Sequence, residues 1–235
     1  MGGFFITKGN NCVRCDHHRR SMTAAAGTRK TRSIRPRKSV DEHEAAIIAA
    51  FGALWGLMEI TLGATLKGMR LPMSGAILAG LACIIALTGR YFIRRRGAIV
   101  MMGGVAAMLK IFSVGTVIAG PFLAILIESV IAEAICVLLG RNRRGFAIAG
   151  AAVLCYTVLH PFITQGLLFG GRVYEVYWAT ARQIGEWLGL QVVHLTLFVG
   201  LYLFVHALIG GLAGLFAFRL ARAVQFELEK LEQSS

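Results

Sequence analysis

Seven ionisable residues sit inside otherwise apolar stretches: Glu59, Lys110, Glu128, Glu133, His160, His194 and His206. A charge in hydrocarbon costs about 2.5–3.5 kcal/mol even on the most lenient insertion scale, so such groups must face protein or a polar cavity. Acids, an amine and imidazoles in one interior can do two kinds of chemistry. They can hold a small polar molecule by charge and hydrogen bonds, or move protons as an acid–base pair. Glu128 and Glu133 are five residues apart and point about 140° away from each other on a helix. Glu128, near mid-depth with Ala124 and Ala132 on its face, is the pocket candidate, and Glu133 reads as an inter-helix hydrogen-bonding residue. His194 and His206 are about 120° out of phase and form no metal pair. The helical acids lack ExxH spacing, and the chain has no nucleotide loop, GxSxG or HExxH. No catalytic residue, metal ligand or cofactor is therefore assigned.

Ala45, Ala49, Gly52, Gly56, Glu59 and Gly63 recur at steps of four and three, which puts them on one stripe of one helix. Small residues let another helix approach closely, and Glu59 within the stripe must avoid lipid. Gly103, Ala107, Lys110 and Ser113 share a face in the same way, so Lys110 is placed to pair with Glu59 or Glu128, or to bind a ligand. His160 precedes Pro161, whose ring removes a backbone donor and frees the carbonyl of Thr157. Interrupted backbone at membrane depth is tolerated where it lines a cavity. Trp55, Glu59, Lys110, Glu128, His160, Gln165 and His194 thus fall in one half of the membrane domain, as the lining of a pocket for a small, flat, polar molecule. Tyr174, Tyr177 and Trp178 lie in an aromatic connection suited to cover it.

The elements that carry these residues are six apolar segments: 45–66, 72–92, 97–117, 121–139, 145–169 and 188–218. The chain is 56% hydrophobic and only 16% charged, where a soluble protein carries about 25% charged residues. The predicted fold is all-α, a polytopic membrane protein with six transmembrane helices. Residues 171–189 carry alternating Arg, Glu, Tyr and Trp and predict a short helix at headgroup level. The last segment, at 1.5 Å per residue, is about 46 Å long against roughly 30 Å of hydrocarbon, so it must tilt, bend near Gly210-Gly211 or project.

The net charge of +13 does not indicate a nucleic-acid partner. Ten of the 25 Lys and Arg residues precede Glu44, and most others occupy turns. That placement follows the positive-inside rule and suits anionic lipids. It predicts both termini in the cytoplasm and a multi-pass protein of the cell (inner, cytoplasmic) membrane. Residues 1–43 read as a disordered basic tail, 44–220 as the six-helix membrane domain, and 221–235 as an amphipathic extension. Cys12-x-x-Cys15 with Asp16, His17 and His18 is a weak zinc signal, without a second ligand pair at finger spacing.

Six helices, a small-residue first helix and an outward-facing pocket resemble the S component of energy-coupling factor (ECF) vitamin transporters. The run Leu71-Pro72-Met73-Ser74-Gly75-Ala76 and the stretch from Leu109-Lys110 through Gly120-Pro121 to Glu128 and Glu133 carry the likeness. It covers about residues 45–218. The resemblance implies a non-enzymatic, substrate-binding subunit for a vitamin or vitamin precursor. It also implies ATP hydrolysis by separate ABC ATPase subunits, and a T-type transmembrane partner that contacts Ala45, Ala46, Ala49, Ala50 and Ala53 of the first helix. Two other readings of the residues stay open: an intramembrane enzyme using Glu128 and His160 as an acid–base pair, and a membrane assembly or scaffold subunit.

Overall fold

A computed structural model describes residues 42–70, 73–112, 119–187, 189 and 192–234. The zinc-like CxxC segment and residues 1–41 of the basic tail lie outside the described residues. Helices are the only regular elements among those described. They are α1 (Glu42–Gly68), α2 (Ser74–Phe92), α3 (Ala98–Ile111), α4 (Ala119–Leu139), α5 (Arg143–Phe169), α6 (Arg172–Trp187) and α7 (Val192–Ser234). Five of them are long and apolar enough to cross a membrane: α1, α2, α4, α5 and α7. The chain is a multi-pass, all-helical membrane protein.

One element is shorter than the sequence expectation. The third apolar segment was expected to span 97–117, but α3 has 14 residues, about 21 Å of helix. Gly97 in the left-handed region starts it, and Phe112, whose N–H reaches back to Leu109 and Lys110, turns out of it. The last segment is expected to tilt, bend or project, and α7 runs as one helix of 43 residues, about 65 Å, continuous with the expected extension. Gly210 and Gly211 do not break it, because Gly210 is held against a neighbour.

That neighbour is α5. A Cβ added at Gly150 would collide with the carbonyl of Gly210, one at Gly210 with the carbonyl of Gly150, and one at Gly214 with the carbonyl of Phe146. Backbone packs directly on backbone there, and α5 and α7 run antiparallel. The association relies on small residues because lipid offers no hydrophobic gain for helix pairing. α1 and α3 use the same device in parallel: Gly52 meets Met102 and Val105, and Gly56 meets Ala106 and Leu109. Neighbouring helices close a ring in the order α1, α3, α4, α5, α7, α2, with α2 also packed against α5. Among the described helices, α6 touches α5 and α7.

One end of this bundle gathers the arginines. Arg90 and Glu133 form an ion pair at 3.2 Å with side chains 3% and 8% exposed. Glu133 also accepts from the N–H groups of Gly97 (2.6 Å) and Ile99 (3.0 Å). The carboxylate therefore caps the N-terminus of α3, where the helix dipole favours negative charge. Arg90 donates to the carbonyl of Ile93, and Arg141 Nη1 donates to the carbonyls of Tyr91 and Ile93, at 3.0 Å each. Burial, and then the neighbouring Arg90 and Arg94, hold the Arg141 guanidinium below the ordinary arginine pKa. Asn142 caps α5 by accepting from Gly145 N–H at 2.8 Å. Edge-to-face contacts of Tyr91, Phe146 and Phe218 fill the space beneath.

Candidate functional site

The other half of the bundle holds a cavity of about 340 Å³. It lies between Glu59 of α1, Gly75, Leu78 and Ala79 of α2, and Lys110 near the end of α3. Gly120, Pro121, Ala124, Ile125 and Glu128 of α4 and Thr157, His160, Pro161, Thr164 and Gln165 of α5 complete it. All five helices contribute their portions remote from the arginine-rich end, which follows from their alternating directions. Its volume lies at the low end of the range of about 300–1,000 Å³ for small-molecule sites.

Glu59 and Lys110 meet across the α1–α3 seam. Lys110 Nζ donates to the Glu59 carbonyl oxygen at 2.6 Å and to Oε2 at 3.3 Å. Gly63, one turn further along α1, leaves room for that ammonium: an added Cβ would stand 3.1 Å from Nζ. The small-residue stripe is thus split. Gly52, Gly56 and Gly63 face α3, while Ala45 and Ala49 are exposed. Ala46, Ala50 and Ala53 are exposed as well.

Glu128 is 6% exposed and faces the cavity. Its Oε1 accepts from the Thr157 hydroxyl at 3.0 Å. Among the described residues no basic side chain pairs with it. His160 is fixed at both ring nitrogens. Nε2 lies 3.2 Å from the Gly120 carbonyl and Nδ1 lies 2.7 Å from the Tyr156 hydroxyl. A carbonyl only accepts, so Nε2 carries the hydrogen, and in the neutral ring Nδ1 accepts from the Tyr156 hydroxyl. α5 continues through Pro161 without a break. Thr164 donates to the His160 carbonyl at 2.7 Å, one of the backbone groups around the proline.

The structure brings together five of the residues singled out in the sequence: Glu59, Lys110, Glu128, His160 and Gln165. Trp55 is 2% exposed and packs beside Gly103 within the bundle, outside the cavity lining. Tyr174 donates to the Phe162 carbonyl at 3.1 Å and fills the space left by Gly166, so it anchors α6 to α5. Trp178 is 47% exposed, with Arg182 5.6 Å from its ring centroid. Neither lines the cavity. The side chains of Tyr177 and His194 lie outside the described residues. His206 is buried, donates through Nδ1 to the Tyr202 carbonyl at 2.9 Å and belongs to α7 packing. Thr157 and Thr164 were not singled out as side chains. Their signal was present, because Thr157, His160 and Thr164 follow one another at steps of three and four on a single face of α5.

Among the described residues, no three His, Cys, Asp or Glu side chains are grouped to hold a metal ion. No family model, curated protein or solved structure matches the chain.

Proposed function

We propose that the chain is a substrate-binding membrane subunit of an ECF-type importer for a vitamin or vitamin precursor, driven by a T-type transmembrane subunit and ABC ATPase subunits. The observation that carries this reading is the cavity that joins the Glu59–Lys110 pair, Glu128, His160 and Gln165 on five helices. Structural ion pairs alone need no such void. The arginine-rich end is the cytoplasmic end by the positive-inside rule, which makes the cavity-bearing half the outer half. In this reading the chain crosses six times, with α3 as the third crossing, both termini are cytoplasmic, and the membrane is the cytoplasmic one. In this reading Tyr174, Tyr177 and Trp178 of α6 cover the bound ligand once the Tyr174–Phe162 hydrogen bond that anchors α6 to α5 is released. The exposed Ala45, Ala46, Ala49, Ala50 and Ala53 supply a flat face for a partner helix.

The test is mass spectrometry of small molecules retained on gently purified protein, followed by affinity measurements on that molecule. Lys110→Ala and Glu128→Ala are each expected to weaken binding at least about tenfold, the worth of a charge-assisted hydrogen bond, with insertion unchanged. Absence of any retained or added small-molecule ligand, with a stable complex through α1, would instead favour a scaffold.

A further inference from the structure

We infer that the ligand of this cavity is an organic cation, an apolar or aromatic body carrying a protonated nitrogen whose N–H groups dock on Glu128. The inference rests on the reading of the cavity as a binding site and adds the class of molecule that fits it.

The argument is a count of charges and hydrogens. Lys110 and Glu59 neutralise each other at 3.3 Å. His160, held between the Gly120 carbonyl and Tyr156, is satisfied as a neutral ring. That leaves Glu128 as the one lining carboxylate with no cation beside it among the described residues. Its hydrogen bonding is equally short. Thr157 Oγ1 lies 3.0 Å from Glu128 Oε1 and 3.0 Å from the Val153 carbonyl. A hydroxyl has a single hydrogen, so Thr157 serves one of these acceptors at a time. A carboxylate offers about four acceptor sites, and among the described residues it has at most one donor. A buried carboxylate with no counter-ion either takes up a proton or pairs with an occupant that supplies both donors and charge, and a cationic ligand is such an occupant.

The walls specify the rest of the molecule. Leu78, Ala79, Pro121 and Ile125 give the cavity apolar sides. A flat apolar body fits between them, and a cationic head at Glu128 completes the pairing. An anion would meet Glu128 with like charge, and Lys110 is already occupied by Glu59.

The test uses the full chain in lipid nanodiscs and three probes of nearly equal shape: benzamidine, a cation; benzamide, neutral; and benzoate, an anion. Binding is measured by calorimetry and by the shift in thermal unfolding, and molecules retained from expression are identified by mass spectrometry. Benzamidine is expected to bind at least about tenfold more tightly than benzamide, with benzoate weakest. Glu128→Gln is expected to reduce that preference to less than about twofold. Equal binding of the three probes, a preference for benzoate, or full preference for benzamidine in Glu128→Gln would overturn the inference while leaving a ligand-binding cavity. If no probe binds, the retained molecule decides: a cation supports the inference and a neutral or acidic molecule overturns it. If neither a probe nor a retained molecule is found, the binding-subunit reading fails with it. The wild-type probe series stands even if Glu128→Gln does not insert.

Discussion

Glu133 and Glu128 lie five residues apart on one helix and have opposite fates. Glu133 meets Arg90 and two N–H groups of the α3 N-terminus. Glu128 meets one threonine and a void. Their divergence was legible in the sequence, because a five-residue step turns a helix far enough to separate the two side chains. Which of them would find an arginine was not legible, since Arg90 is brought to Glu133 by the packing of α2, 43 residues earlier in the chain. The difference predicts different losses. Glu133→Ala leaves Arg90 buried without its partner, and removing one member of a buried pair costs roughly 3–5 kcal/mol. It is expected to lower the unfolding midpoint strongly in detergent titration. Glu128→Ala removes no ion pair and is expected to leave that midpoint close to wild type while weakening ligand binding. Equal destabilisation by the two substitutions would make Glu128 a structural acid. Trp55 teaches the limit of such reading. An indole at helical spacing fits a pocket or a seam equally well, and only packing beside Gly103 decided for the seam.

At the scale of elements, glycine positions set which helices touch. The small-residue periodicity of α1 was visible in the sequence, and its glycines do face α3. Its alanines are on the same stripe by spacing, yet Ala45 and Ala49 are exposed. Periodicity gives the face of a helix and says nothing of where its neighbour ends. The α5–α7 contact was less legible, because Gly150, Gly210 and Gly214 lie far apart in sequence and a Gly210-Gly211 pair also suits a bend. The packing yields two expectations. Gly210→Ala drives a methyl group into the Gly150 carbonyl and should cost about 1–3 kcal/mol, the usual range for overpacking, read as a lower unfolding midpoint. Gly63→Ala places its Cβ 3.1 Å from Lys110 Nζ. It alters no polar group, yet is expected to displace the ammonium and weaken ligand binding several-fold with little loss of stability. If binding is unchanged in Gly63→Ala, the Glu59–Lys110 pair contributes to the fold alone.

For the whole molecule, the decisive question is how many helices cross the membrane and in which direction. Length and composition qualify α1, α2, α4, α5 and α7, and α3, about 21 Å long, falls short of the roughly 30 Å of hydrocarbon. The packing nevertheless argues for a third crossing. α3 starts where Glu133 and Arg90 close the arginine-rich end and finishes where Lys110 reaches Glu59 in the cavity half. It runs parallel to α1, and the basic residues just before it, Arg94, Arg95 and Arg96, lie at the same end as those between α4 and α5. Single cysteines in a chain whose five native cysteines are replaced provide the measurement. Met69, Arg96, Phe112 and Gly171 are all exposed and lie in turns. With an impermeant thiol reagent on intact cells, Met69→Cys, Phe112→Cys and Gly171→Cys are expected to label, and Arg96→Cys only after the membrane is opened. Phe112→Cys and Gly171→Cys that label, like Arg96→Cys, only after the membrane is opened would reduce the count to five crossings and place α3 as a re-entrant helix. Reversal of the whole pattern would turn the cavity toward the cytoplasm. An importer that collects its substrate from outside is incompatible with that arrangement, because Glu128 and the Glu59–Lys110 pair would then face the compartment of delivery.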